Sequence, residues 1–235
     1  MPRVERNAEV TLVVLVYRSL RWLDFCMEGV DKSKNTTRYR WCVVANDATD
    51  EVRNDPRITV DWSNEDPTDF YIDNVYRAWN EGVTNATTQA VVMLNSDMFP
   101  ADGWLDELLE AWRPRHRDTV PTSLLVESGR VPSGMPEYVR DFGRTPEDFD
   151  KAKFLQYADS IKKPGQTEPG RLYMPILVDR QEFMDVGGYP ECNPPWTTGD
   201  KDLIRRYKAA GFDHVTALGS VVYHCQEGEM RWPSP

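Results

Sequence analysis

The 235-residue chain has no long hydrophobic run. The longest early one, Val10 to Tyr17, falls far short of the roughly 20 apolar residues that a spanning helix needs. Basic residues precede it, yet it lacks the small-residue cleavage site of a signal peptide, so it reads as a buried strand and no transmembrane segment is expected. Positive charge is scarce as well: 28 Lys and Arg against 38 Asp and Glu leave a net charge of −10. An acidic surface repels nucleic acid, which is excluded as a partner. An anionic ligand is not excluded, because a bound cation inverts the local field. Cysteine is sparse: Cys26, Cys42, Cys192 and Cys225 lie far apart with no C-x-x-C pair. That is neither a disulfide framework nor a zinc pattern; free thiols packed in a core, in a reducing cytoplasm, are expected. Also missing are G-x-x-x-x-G-K-[ST] and a G-x-G-x-x-G after the first strand, which sets aside P-loop NTPases and ordinary dinucleotide dehydrogenases.

What is present is an alternation of apolar runs and helical patterns. Val10–Tyr17, Tyr39–Ala45, Arg57–Trp62 and Ala90–Leu94 read as strands, and a short continuous apolar run is the mark of a strand buried on both faces. Between them, Leu20–Val30 and Tyr71–Val83 carry apolar residues at helix spacing, and Leu105–Trp112 is a helix stopped by Pro114. This order predicts right-handed crossovers and a mostly parallel sheet with helices on both faces. The second half is less regular. Val120–Glu127, Leu172–Val178 and Val215–His224 are expected as strands, and Pro146–Lys163, Arg180–Val186 and Asp200–Ala210 as helices, with a long Gly- and Pro-rich loop from Gly129 to Gly143. With no repeat, linker or low-complexity tract, residues 1–235 are expected to form one α/β domain.

Polar residues collect where the strands end: Tyr17-Arg18, Asn46-Asp47 and Asn95-Ser96-Asp97. In a parallel sheet these ends share one edge, and ligands bind outside the carboxyl ends of such strands. Asp97 there is either a turn or cap residue or a carboxylate that grips a cation, and through it a phosphate. Asp47 either makes a turn or accepts hydrogen bonds from a nucleoside. Asp200, at the opening of a helix, is either a dipole-favouring cap or a general base. Asp202 is its rival, two positions on. Trp196 either packs a Pro-rich turn or offers a flat face to a sugar. His224, ending the last strand, is either a hydrogen-bonded residue or a metal ligand. His116 and His214 have no supporting pattern and read as surface residues.

Together these segments resemble the family 2 glycosyltransferases, which have the GT-A fold, over Val10 to about Glu227. Val43-Val44-Ala45-Asn46-Asp47-Ala48-Thr49-Asp50 resembles the family's "vvDdgStD", and Asn80-Glu81-Gly82 its "N-x-G". Leu94-Asn95-Ser96-Asp97 with Gly103-Trp104-Leu105 is similar to "lNnD…gWl", the family's form of the D-x-D metal motif. Asp185-Val186-Gly187-Gly188-Tyr189 resembles "vGGfde", and Gly199-Asp200-Lys201-Asp202-Leu203 stands where the family has "ED-x-x-L". Two departures stand out: Asn95 replaces the first acid of D-x-D, and Gly199 replaces the Glu before Asp200.

The resemblance implies transfer of a sugar from a nucleoside diphosphate-sugar donor to a hydroxyl of a glycan or glycoconjugate acceptor, with inversion. It implies a nucleotide-binding half (1–113) and an acceptor and catalytic half (114–235). Val16, Tyr17, Asp47, Asn80, Asn95 and Ser96 would bind the donor nucleotide, while Asp97, completed by His224, would hold Mn²⁺ or Mg²⁺. Asp200 would be the base, and Trp196 and Gly188 would meet the sugar or acceptor. Two rivals are a sugar nucleotidyltransferase, which Tyr17-Arg18-Ser19-Leu20 opposes by lacking a Gly-rich basic loop, and a catalytically degenerate sugar-binding module, which Asn95 and Gly199 favour.

Overall fold

The computed structural model describes residues 8–63, 71–113, 118–190 and 198–227. The first half follows the expected alternation. Strand β1 (Val10–Val16) is followed by helix α1 (Leu20–Lys32), β2 (Tyr39–Asn46), the one-turn helix α2 (Asp50–Arg53) and β3 (Ile58–Trp62). Helix α3 (Tyr71–Asn85), β4 (Ala90–Met93), β5 (Met98–Pro100) and α4 (Trp104–Trp112) complete it. The second half holds β6 (Thr119–Glu127), a 3₁₀ turn at Pro136–Tyr138, α5 (Lys151–Ile161), β7 (Thr167–Pro169), β8 (Ile176–Asp179), α6 (Arg180–Asp185), α7 (Gly199–Ala209) and β9 (Asp213–His224).

Among the described residues, a nine-stranded sheet takes strands from both halves, in the order β3-β2-β1-β4-β8-β6-β9-β5, with β7 on β9. Strands β1 to β4 are mutually parallel, and β6 pairs with β9 in parallel. Strand β8, by contrast, enters antiparallel between β4 and β6, and β5 and β7 are antiparallel to β9. The expected parallel order holds through β3-β2-β1-β4 and in the long β6–β9 pair, while β5, β7 and β8 add shorter antiparallel pairings. Among the described residues no helix is long and apolar enough to cross a membrane.

Burial explains the first strands. Every residue of β4, and all of β1 but Leu15, lies in the core. Helix α3 lies close on them because Gly82 has no side chain: a Cβ there would stand 2.4 Å from Val13 Cγ1 and 3.1 Å from Val44 Cγ2. Cys26, Cys42 and Cys225 are buried free thiols, and burial pushes all three up from the ordinary thiol range; Cys192 and His116 lie outside the described residues.

Three expectations need correction. Helix α5 begins at Lys151, not Pro146, because Asp148 turns the chain first, its carboxylate accepting from the backbone of Arg144 and Thr145, and Asp150 then caps the helix through Lys153 N. Strand β8 begins at Ile176, after Pro175, which has no N–H to give a ladder. His214 is buried rather than on the surface: β9 starts two residues before the expected Val215, alternation turns His214 inward, and its ring stacks on Tyr173 with centroids 6.0 Å apart.

Candidate active site

The carboxyl ends of β1, β2 and β4 open on one cavity of about 330 Å³. Leu15 and Val16 from β1 and Ile72, Val75 and Trp79 from α3 give it apolar walls; Tyr17, Asn46, Asp47, Asn95, Ser96 and Asp97 bring polar atoms from the strand ends. Val16, Tyr17, Asp47, Asn95, Ser96, Asp97 and His224 from the sequence reading thus meet in one place. The turn after β2 is fixed from two sides: Asp47 N donates to Trp62 O at 3.0 Å, and Thr49 N to Tyr17 O at 3.2 Å. Asp47 sits at φ +46°, a left-handed conformation that Asp tolerates better than most residues, and Asn74 donates to its carboxylate at 3.1 Å. Asn46, noted in the sequence as the strand-end neighbour of Asp47 but given no role there, adds a buried carbonyl oxygen with no partner among the described residues. An orphaned buried acceptor on a cavity wall suits a ligand N–H or O–H, since leaving it unmade is costly.

A second cluster closes the cavity. Met98 pairs with His224 across β5 and β9, and Cys225 N donates to Asp97 O at 3.1 Å. That pairing sets His224 Nε2 3.4 Å from Asp97 Oδ2, while Nδ1 lies 3.4 Å from Glu127 Oε1. Asp97 is 4% exposed. Burial alone would drive proton from the His224 ring, but the carboxylates of Asp97 and Glu127 outweigh it and raise the pKa to about 10. Gln226 ties this cluster to the loop after β6. Its amide donates to Glu127 Oε1 at 3.0 Å, and its carbonyl accepts from Gly129 N at 3.0 Å and Val131 N at 3.3 Å. Val131, 46% exposed, is thereby held at the cavity.

The donor set here fits a divalent cation in part. Among the described residues no group of three or more His, Cys, Asp and Glu side chains could hold one alone. Asp97 and the Nε2 of His224 nevertheless converge, and Glu127 on Nδ1 repeats the carboxylate–histidine arrangement that orients metal-bound imidazoles.

Asp200 is not among the residues lining that cavity, but it is tied to α3, which walls it, through Tyr76. Tyr76 donates to its Oδ2 at 3.3 Å, and the Tyr189 hydroxyl is a second donor. Burial raises the Asp200 pKa to about 6, against these two hydrogen bonds, which lower it. The absence of Glu before Asp200 has a steric reason: a Cβ on Gly199 would lie 2.5 Å from the Tyr76 ring. Asp202 is separated from Asp200 by its partners, being bound to Arg205 and, at 2.9 Å, to Arg206. Arg206 in turn donates to the carbonyls of Gly187 and Gly188. Asp202 is therefore an anchor for the Gly-Gly turn.

Two expected ligand residues face elsewhere. Asn80 spends its amide on Tyr189, donating to the Tyr189 carbonyl at 3.0 Å and accepting from its N–H at 2.9 Å. It lies one turn after Tyr76, off the face of Val75 and Trp79 that lines the cavity. Gly188 is glycine because of that contact: it has φ +56°, and a Cβ would stand 2.7 Å from Asn80 Oδ1. Trp196 lies outside the described residues. Tyr76, Tyr189, Glu127 and Gln226 were not legible as site residues, since only the folded chain brings them to Asp200 and His224.

Among curated proteins, no sequence matches this chain. Among solved structures, S. aureus TarS (residues 1–349) superposes with a TM-score of 0.58 at 12% identity, covering 92% of this chain and 60% of that one. That likeness bears on the fold, a mixed α/β sheet flanked by helices of the GT-A type; the chain spans less than two thirds of the TarS chain it matches. The family model "Glycosyl transferase family 2" matches residues 11–173, from β1 to the approach to β8 and more than half of the sequence. The chain belongs to glycosyl transferase family 2.

Proposed function

We propose that this protein is a glycosyltransferase that takes a sugar from a nucleoside diphosphate-sugar and passes it, with inversion at the anomeric carbon, to a hydroxyl of a glycan or glycoconjugate. One observation carries the reading. Asn46-Asp47 and the Asp97–His224 pair line the same strand-end cavity, and α3, which walls that cavity, also holds Asp200 through Tyr76.

Tyr17, Asn46 and Asp47 would grip the nucleoside, with the unpartnered Asn46 oxygen accepting a hydrogen bond from it. Asp97 and His224 would hold Mn²⁺ or Mg²⁺, hard ions suited to carboxylate and phosphate oxygens, with the imidazole as the softer ligand of the set. Bound there, the ion would supply Lewis-acid neutralisation of charge on the departing diphosphate. Asp200 would take the proton of the acceptor hydroxyl as its oxygen bonds to the anomeric carbon and the bond to the diphosphate breaks. A base with a pKa of about 6 is ionised at neutral pH yet still basic enough to accept that proton.

The test is a thermal-shift titration of nucleoside diphosphates with and without Mn²⁺, followed by donor turnover with and without acceptor glycans. One nucleotide should raise the midpoint strongly only when Mn²⁺ is present, by binding linkage. Its sugar donor should then be hydrolysed slowly without acceptor. Lack of stabilisation by every nucleotide in both conditions would overturn the donor assignment, and stabilisation equal with and without Mn²⁺ the role of the cation.

A further inference from the structure

We propose that Tyr76 and Tyr189 are positioning residues for Asp200: a stacked pair of phenols, locked in place by Asn80, that fixes and ionises the carboxylate for proton transfer. The inference rests on reading Asp200 as the base and goes beyond it, because neither tyrosine need touch the sugar nucleotide.

The geometry is specific. The two rings stack with centroids 4.8 Å apart and planes 18° from parallel, and both hydroxyls reach the one carboxylate. Tyr76 and Tyr189 are buried, 4% and 1% exposed. A buried phenol needs a hydrogen-bond partner, and here both find the same one. Each ring is held from behind. Tyr76 lies against Gly199, where any side chain would collide with it. Tyr189 is gripped at both its N–H and its carbonyl by the Asn80 amide, one helical turn beyond Tyr76 on α3. Gly188 leaves room for that grip. Four otherwise unrelated features of the sequence, Asn80, Gly188, Tyr189 and Gly199, thus serve one arrangement.

The chemistry gives the arrangement a purpose. Desolvation pushes Asp200 towards its neutral form, in which it could not accept a proton. Two hydroxyl donors favour the charged form, and burial keeps both phenols protonated as donors. The other described groups near Asp200 are Tyr173, from the segment before β8, and Asp202 on its own helix, which is neutralised by Arg205 and Arg206. The tyrosine pair is therefore what opposes the desolvation.

The experiment is a pH profile of kcat/KM for the full chain and for Tyr76→Phe, Tyr189→Phe and the double variant, with donor-nucleotide affinity measured on each. Phe keeps the ring stack and removes only the hydroxyl. The acidic limb should move up by about one pH unit per hydroxyl removed, and further in the double variant, with donor affinity within twofold of the parent. Acidic limbs that coincide with the parent's would overturn the inference. If a Phe variant fails to fold, Asn80→Ala supplies the second arm: kcat should fall at least tenfold with donor KM unchanged, and an unaltered kcat would overturn it. Asp200→Asn separates the two readings. Full transfer by Asp200→Asn removes the base itself, whereas an inactive Asp200→Asn beside unshifted Phe variants removes only the role of the tyrosines.

Discussion

His224 Nε2 stands 3.4 Å from Asp97 Oδ2 although the two residues are far apart in the chain. The contact is made by backbone register. The three-residue strand β5 begins at Met98, and Met98 pairs with His224, so the turn after β4 delivers its carboxylate to the end of β9. If this pair is the protein's share of a cation site, each half is needed. Asp97→Ala and His224→Ala should each weaken Mn²⁺-dependent nucleotide binding by an order of magnitude or more, as measured by calorimetry. Nucleotide binding without Mn²⁺ should change far less. A Mn²⁺ titration of Asp97→Ala that overlays the parent would sink the assignment.

Glu127 touches the His224 ring from behind, and residues that orient a metal-bound imidazole typically contribute 10- to 100-fold in metal affinity. Glu127→Gln keeps the shape and an acceptor for Nδ1 but removes the charge. Mn²⁺ affinity should drop by about 10- to 100-fold, and saturating Mn²⁺ should restore most of kcat. A loss of kcat that no Mn²⁺ concentration recovers would mean that Glu127 acts elsewhere.

Asp200→Asn tests chemistry and stability in one variant. Transfer should fall by on the order of 10²- to 10⁴-fold, the usual worth of a positioned base, with donor affinity intact. In the parent, kcat/KM should decline below about pH 6, where Asp200 takes up a proton. Stability should move the other way. The Asp200 pKa is raised in the folded chain above its unfolded value, so the folded state binds the extra proton and ionisation costs stability as pH rises through about 6. Asn carries no such cost. The variant should be more stable than the parent at pH 7.5, by roughly 1–3 kcal/mol, and the gain should vanish as pH falls below the unfolded carboxylate range. Urea unfolding at pH 7.5 and pH 4 checks both signs; a gain that is the same at both would sink the account.

Much of the fold was legible because the first half is built from local signals. Apolar runs end in polar residues at Asn46-Asp47 and Asn95-Ser96-Asp97, and helical spacing fills the gaps. What escaped depends on partners distant in sequence. Met98-Phe99-Pro100 is too short to read as a strand and becomes one only against β9, so the link between Asp97 and His224 is invisible beforehand. Asn80 was legible as a motif residue but not by role, since spacing does not say which neighbour a residue on α3 will meet. Val75 and Trp79 meet the cavity; Tyr76 and Asn80 meet Asp200 and Tyr189. Gly82 and Gly199 record close approaches, to Val13 and to Tyr76, that become apparent only when the elements are packed.

Gly188 offers a test of whether that packing matters to function as well as to stability. Its backbone has φ +56°, which costs an alanine about 1 kcal/mol or more. Its Cβ would also stand 2.7 Å from Asn80 Oδ1 and 3.0 Å from Phe183 Cε1. Gly165 isolates the first effect: it has φ +67° with no atom within 4 Å of a built Cβ. Gly165→Ala should therefore lose only the backbone cost and keep full activity. Gly188→Ala should lose about 1–3 kcal/mol more in urea unfolding, because Asn80 must move, and kcat should fall with it while donor KM holds, because Asn80 holds Tyr189. Equal destabilisation of the two variants would mean that Asn80 yields without cost. A full kcat in a destabilised Gly188→Ala would show that Tyr189 keeps its place without the clamp.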